Sequence, residues 1–228
     1  PVLDMHFQVD GPVVAHLMQG FAEDWAFTTG ETLDGDSWFP DPIEVGGEIA
    51  RGVASGPDED FEKLQSMMAG AVGRARDAVR IVTPYFLPDR RMLFSLTLAA
   101  MRGVRVDLVI PRHSNHWILD WATSALHREL LVAGCHIHLV PSPFDHAKLM
   151  TVDRLWALVG SANWDARSLR LNFEHNVECY GTETAPTIDR YIDDRIAVAE
   201  RLTLAEIDAR PLPRRLRDSA ARLLQPYL

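Results

Sequence analysis

The chain of 228 residues has only two cysteines, no long apolar run and no surplus of positive charge. Each shortage excludes something. Cys135 and Cys179 both sit in apolar, strand-like stretches, so they are expected as separate buried thiols, not a disulfide. Neither has the close spacing to other ligands that a structural metal site needs. No apolar stretch reaches the about 18 residues of a membrane-spanning helix, and none of the sequence reads as a signal peptide. The formal net charge is −9. That opposes a sequence-independent grip on nucleic acid, which needs basic surface to release counterions. It also gives no overall attraction to anionic lipid, so any membrane contact must be local or carried by other segments. With 47% hydrophobic and 24% charged residues, the composition is ordinary for a soluble globular protein. The length suits one large domain, or one and a half of a repeated kind.

The chemistry-bearing residues concentrate between 146 and 174. Asp145-His146-Ala147-Lys148-Leu149-Met150-Thr151-Val152-Asp153 is followed by Gly160-Ser161-Ala162-Asn163-Trp164-Asp165 and then by Asn172-Phe173-Glu174. On a strand, His146 and Lys148 share a face with Met150 and Val152, while Ala147, Leu149 and Thr151 take the other. A turn at Asp153-Arg154 would pair this run with Leu155-Trp156-Ala157-Leu158-Val159-Gly160 as a hairpin, returning Ser161 and Asn163 to the neighbourhood of His146. Lys148 supplies a charge that need not titrate, and Ser161 and Asn163 supply neutral donors. This set suits a tetrahedral oxyanion such as phosphate. His146 is able to attack phosphorus or transfer a proton, with Glu174 holding its other ring nitrogen. Asp153 reads equally well as a turn residue. The expectation is that His146, Lys148 and Asn163 converge on one pocket. No metal or cofactor is needed, and His136 with His138 lacks a third ligand in the sequence.

His146-x-Lys148-x4-Asp153, Gly160-Ser161-x-Asn163 and Asn172-Phe173-Glu174 together resemble the signature of the phospholipase D superfamily. Thr83-Pro84-Tyr85-Phe86-Leu87-Pro88-Asp89 and residues 160–168 resemble the second half of bacterial cardiolipin synthases. The resemblance covers nearly the whole chain. It implies a covalent phosphohistidine on one motif histidine and a proton delivered by the histidine of a second motif copy. It also places Tyr85 beside the phosphate pocket, and His116, in a loop on the same edge, is a further candidate for its lining.

Residues 3–11 and 173–181 carry an apolar residue, a carboxylate and a glycine in the same register, and the match runs on to Asp24 and Asp194. Asp4 is then the first-half counterpart of Glu174. The expected organisation is a tail of a first phospholipase D-like domain plus linker over residues 1–46, with its own motif missing upstream, and a second such domain over residues 47–228. The opening Pro1 fits a fragment. Helices are expected over residues 11–26, with Val13, Val14, Leu17, Met18, Phe21 and Trp25 on one face, from a cap at Asp58 to about residue 76 with Phe61, and over residues 89–102, 115–133 and 182–209. Strands are expected over residues 48–55, 79–83, 104–110 and 136–140. The implied fold class is α/β, a phospholipase D-like domain with a mixed central sheet and helices on both faces. The tail, with Arg214, Arg215, Arg217 and Arg222 among Leu216, Leu223 and Leu224, reads as a solvated helix packed on the domain more readily than as a membrane-surface helix.

The resemblance implies phosphatidyl transfer between lipid alcohols. The expected partners are a phosphatidylglycerol-like phospholipid, a bacterial membrane surface reached through the intact protein, and the missing N-terminal half or a second copy. The fragment alone is expected to be soluble and inactive. Hydrolytic phospholipase D activity, a nucleic-acid phosphodiesterase and a non-catalytic lipid-binding domain are the alternatives. The net charge disfavours nucleic acid.

Overall fold

The computed structural model describes residues 2–56 and 62–228. In chain order the elements are β1 (Val2–Leu3), α1 (Val13–Thr29), β2 (Ile49–Ser55), α2 (Lys63–Arg74), β3 (Ala78–Val82), β4 (Phe86–Leu87), α3 (Arg90–Met101), β5 (Arg105–Pro111), α4 (Trp117–Ser124), α5 (His127–Ala133) and β6 (His136–Val140). Then come β7 (Phe144–Asp145), β8 (Leu149–Val152), β9 (Trp156–Gly160), β10 (Trp164–Asp165), α6 (Ala166–Arg170), β11 (Glu174–Tyr180), α7 (Thr184–Val198), β12 (Glu200–Leu202), α8 (Leu204–Asp208), α9 (Leu212–Arg222) and a 3-10 turn (Gln225–Tyr227).

Eight strands form one mixed sheet in the order β12-β6-β5-β3-β8-β9-β11-β2. The β3, β5 and β6 strands are parallel, joined by helical crossovers; the other pairings in the sheet are antiparallel. Successive strand residues go to opposite faces, as the pleat requires. Ile81, Leu108, Met150 and Leu158 join one core with Leu64, Met68, Leu93 and Leu96 of α2 and α3. Their neighbours Val82, Val109, Leu149 and Val159 join a second core with Ile188 and Ile192 of α7 and Val13 of α1. The expected α/β class, mixed sheet and two-sided helical cover are all present, and the face assignments made for residues 147–152 hold for the four apolar positions.

Local chemistry sets several boundaries. Asp89 caps α3 by accepting from the Met92 amide at 2.9 Å, and Gly134 ends α5 in the left-handed region. Cys135 and Cys179 are free thiols, the first buried and the second half-buried.

Three expectations changed. The helix over residues 115–133 is two helices, because the Leu126 amide bonds to Thr123, three residues back. This tightens the turn and sends Leu126 fully into the core. The stretch over residues 182–209 is not one helix. Ala199 is extended, β12 adds an edge strand to β6, and Thr203 with Glu206 starts α8 through a reciprocal capping box. In α1 the apolar stripe faces the core only in part: Val13 is buried and Leu17 packs against the core, while Val14, Phe21 and Trp25 are exposed and Gly20 and Ala22 are buried in their place. The helix meets β2 and β11 at glycines. A Cβ on Gly52 would lie 2.6 Å from Cβ of His16, and one on Gly20 would lie 2.5 Å from Nδ1 of His175. The expected cap at Asp58 and the apolar contact of Phe61 lie outside the described residues.

Candidate active site

The β8–β9 hairpin turns at Asp153 and Arg154, both in the left-handed region at φ 53° and 60°, as a two-residue hairpin turn requires. The Asp153 carboxylate accepts from the backbone amides of Arg76, Asp77 and Ala78 at 2.9, 2.8 and 2.9 Å. It thereby ties the turn to the start of β3. It lies seven residues along the extended run from His146, on the order of 20 Å away, and so is not gathered with the other candidates.

His146 is placed by β1, which pairs with β7 in parallel and puts Leu3 opposite Asp145. The His146 amide donates to the Leu3 carbonyl at 2.8 Å. Asp4 follows directly, and its Oδ2 lies 3.4 Å from Nδ1 of His146. The carboxylate at this imidazole is therefore Asp4, where Glu174 had been expected. Behind the pair, buried Asp145 accepts from the Ala147 amide at 3.0 Å and from the Tyr191 hydroxyl at 2.8 Å. Burial and the Asp145 acceptor both push the Tyr191 phenol far up. Asp145 and Tyr191 lock the segment that presents His146. Their joint role had no sequence signal, since 46 residues separate them.

Lys148 is half-buried, and its Nζ donates to the His146 carbonyl at 2.5 Å. Burial pulls its pKa down to about 8, against the opposing pull of Asp4, Glu174, Asp145 and Asp165. The ammonium at 148 is thus easier to discharge than the fixed cation expected. Asp165 is buried and caps α6 by accepting from the Ser168 amide at 2.8 Å; burial lifts it to about 6, and the charge of Glu174 adds to the rise. Buried Glu174 accepts from Asn172 Nδ2 at 3.1 Å. Asn163 Nδ2 donates to Ser168 Oγ at 3.0 Å, while its buried Oδ1 has no hydrogen-bond partner among the described residues. Exposed Ser161 accepts from the His175 amide at 3.0 Å.

Several of these groups line two cavities, and His146, Ser161 and Glu174 stand in the wall of neither. One, of about 490 Å³, has Asp4, Lys148, Gly160 and His175 in its wall. The other, of about 300 Å³, has Tyr85, His116, Asn163, Asp165 and Asn172. Asn172, bonded to Glu174, connects the second wall to one of the carboxylates whose charge reaches Lys148. Rings connect them too: Tyr85 stands 5.4 Å from His116 and 6.1 Å from Phe144, which stands 6.1 Å from His146. Lys148 and Asn163 therefore open onto neighbouring cavities, not a single one.

A third group does accompany His136 and His138, contrary to the sequence expectation. Both rings reach Oδ1 of buried Asp107, at 3.2 and 3.0 Å. The other oxygen lies 2.7 Å from Arg105 Nε and 3.7 Å from Arg80 Nε. The carboxylate is held well down, to about 2, despite its burial, by His138 and Arg105. With two guanidiniums on the same carboxylate, the trio is built as a buried ionic network.

Among solved structures the fold is that of the phospholipase D family. Nuc of Salmonella typhimurium superimposes with a TM-score of 0.59 at 19% identity, over 69% of this chain and 99% of Nuc. Phosphatidylserine synthase of Haemophilus influenzae Rd KW20 gives 0.63 at 16% identity, over 92% of this chain and 54% of that one. Residues 68–196 match the family profile described as "Cardiolipin synthase, PLD-like domain". The major cardiolipin synthase ClsA of Bacillus subtilis (strain 168) is 34% identical over 227 residues, 99% of this chain and 47% of that protein. The chain belongs to the cardiolipin synthase PLD-like domain family. It spans about half the length of the curated relatives it matches.

Proposed function

We propose that this chain supplies one catalytic half of an enzyme that moves phosphatidyl groups between lipid alcohols. Residues 47–228 are the motif-bearing domain, and residues 1–46 belong to the end of a first such domain. The observation that carries the reading is His146, with Nδ1 beside Asp4 and its backbone carbonyl against the Lys148 ammonium. A carboxylate at Nδ1 favours the tautomer that leaves Nε2 free for chemistry.

The reaction proceeds in two displacements. One motif imidazole attacks phosphorus and forms an N–P bond. The P–O bond to the first alcohol breaks, and that alkoxide takes a proton from the imidazole of a second motif copy. The acceptor alcohol then returns a proton to the second ring as its oxygen attacks phosphorus and the N–P bond breaks. His146 is one of these two rings. Lys148, Ser161 and Asn163 steady the phosphoryl oxygens, Asp4 orients His146, and Glu174 with Asn172 holds the field around Lys148. Tyr85 and His116 line the approach for the lipid. Asp153 is a positioning residue, holding the hairpin to β3.

The test is transfer from phosphatidylglycerol vesicles, with products read by mass spectrometry. The protein carrying both motif copies should yield cardiolipin and glycerol and lose this by orders of magnitude in His146→Asn. The 228-residue chain alone should give negligible turnover. Robust transfer by the monomeric chain, or full activity in His146→Asn, would overturn the reading. Phosphatidic acid as the main product would mark a hydrolase, and cleavage of single-stranded DNA in place of lipid a nuclease.

A further inference from the structure

We infer that α9 and the turn after it form a docking surface for an anionic bilayer, set beside the cavity that Asn163 lines. Helix α9 touches the protein through Asp218 and Ala221 and packs against α4. A surface helix normally turns its apolar stripe inward. Here Leu212, Leu216 and Leu223 fall on one line, at spacings of four and seven, and that line faces outward. They are 63%, 61% and 79% exposed.

Charge flanks the stripe. Residues 210–222 hold five arginines and one acid, Asp218, within a chain whose net charge is −9. Asp218 is buried against Arg217 and Arg210, at 2.6 and 3.6 Å. That leaves Arg214 and Arg215 exposed, Arg215 on the flank of the leucine line and Arg214 towards the packed side of the helix. An outward leucine line with an arginine flank fits the boundary between lipid headgroups and acyl chains. Aromatic rings extend the surface. Trp117 and Tyr227, the side chains most at home at such a boundary, are 58% and 84% exposed. Trp117 stacks edge-on to Trp121 at 4.5 Å, and the Arg217 guanidinium lies 4.2 Å from the Trp121 ring centre. The turn is anchored, because Gln225 Nε2 donates to the Pro88 carbonyl at 2.6 Å.

Position selects the bilayer over another protein segment as occupant. Trp117, Tyr227 and Leu228 line the same cavity as Tyr85 and Asn163, so a bilayer on this surface would lie at the opening through which a lipid headgroup reaches the site. The amino-terminal helix sits elsewhere: Val13 of α1 joins the core on one sheet face and Ala221 of α9 the core on the other. The orientation towards the cavity rests on the proposed lipid chemistry; the bilayer contact does not.

The experiment is co-sedimentation of the 228-residue chain with phosphatidylcholine vesicles containing or lacking phosphatidylglycerol. Two double variants are compared, Leu216→Ser with Leu223→Ser and Arg214→Glu with Arg215→Glu. All four side chains are exposed, and circular dichroism melts check the fold. Binding should require phosphatidylglycerol, fall with added salt, and weaken about tenfold or more in each variant. No binding to either vesicle, or binding that neither variant weakens, would overturn the proposal. So would a dimer of the wild-type chain that Leu216→Ser with Leu223→Ser dissolves, since a second copy would then own the stripe. Vesicle binding by a protein that transfers no phosphatidyl group would keep the docking surface and remove only the proposed function.

Discussion

Raising the pH above 8 should discharge the ammonium at the candidate phosphate site. Lys148 has a pKa of about 8 in place of 10.5, because burial strips water from the charged form. By simple titration it is about nine-tenths charged at pH 7 and about one-tenth charged at pH 9. A phosphate analogue held by this charge should therefore bind progressively less well over that range. Lys148→Arg should flatten the alkaline limb, because a guanidinium stays protonated there, although its planar fork replaces a point charge and lowers the plateau. The chain makes the measurement direct. Lys63 and Lys148 are its only lysines, so side-chain NMR of lysine-labelled protein shows two signals, assigned by Lys63→Arg. The same shift predicts a stability trend. From about pH 8 to 10.5 the unfolded chain still holds a proton that folded Lys148 has released, so this residue makes stability rise with pH across that window. A Lys148 midpoint at 10 or above would refute the reasoning, as burial would then not govern this amine.

Other perturbations separate site from scaffold. Asp165, lifted to about 6 from 3.8, holds a proton in the folded state that the unfolded chain has lost between those values. Stability from this residue is fully present below about pH 4 and fades as pH rises through 6; Asp165→Asn should retain the Ser168 cap and remove that slope in denaturant titrations. Asp153→Ala should cost about 2–4 kcal/mol, since three backbone amides lose a charged acceptor, while the His146 ring signals stay in place. Gly52→Ala, whose Cβ would meet His16 at 2.6 Å, should lift α1 from β2, cost about 1–3 kcal/mol and speed amide exchange in α1 first.

What could be read from the sequence was local. The alternation around Met150, the helix beginning near Asp89 and the end of a helix at Ala133 each depend on a few adjacent residues, and all appear in the fold. The spacing of His146, Lys148, Ser161, Asn163 and Glu174 was legible as a group, but its partners were not. Asp4 reaches His146 only because β1 pairs with β7, across 142 residues. Tyr191 reaches Asp145 by the packing of α7 beneath the sheet, and Asp107 joins His136 and His138 by parallel strand register. Periodicity found α1 and the inward side of Val13 and Leu17 but misplaced Phe21 and Trp25, since Gly20 and Gly52 choose which side of that helix approaches the sheet. One signal was available and missed: Thr203-x-x-Glu206 is a capping box, and it marks a helix start inside the stretch taken as one helix.

The central claim is that His146 and Lys148 serve one tetrahedral anion together with Asn163, although the two sides of the set open onto neighbouring cavities. The most direct measurement is a titration of the chain with vanadate, following the His146 ring and the Lys148 side chain by NMR. Both signals should move along one saturating curve, and Asn163→Ala should weaken that curve without unfolding the protein. Signals that stay still, or that follow separate curves indifferent to Asn163→Ala, would contradict the account.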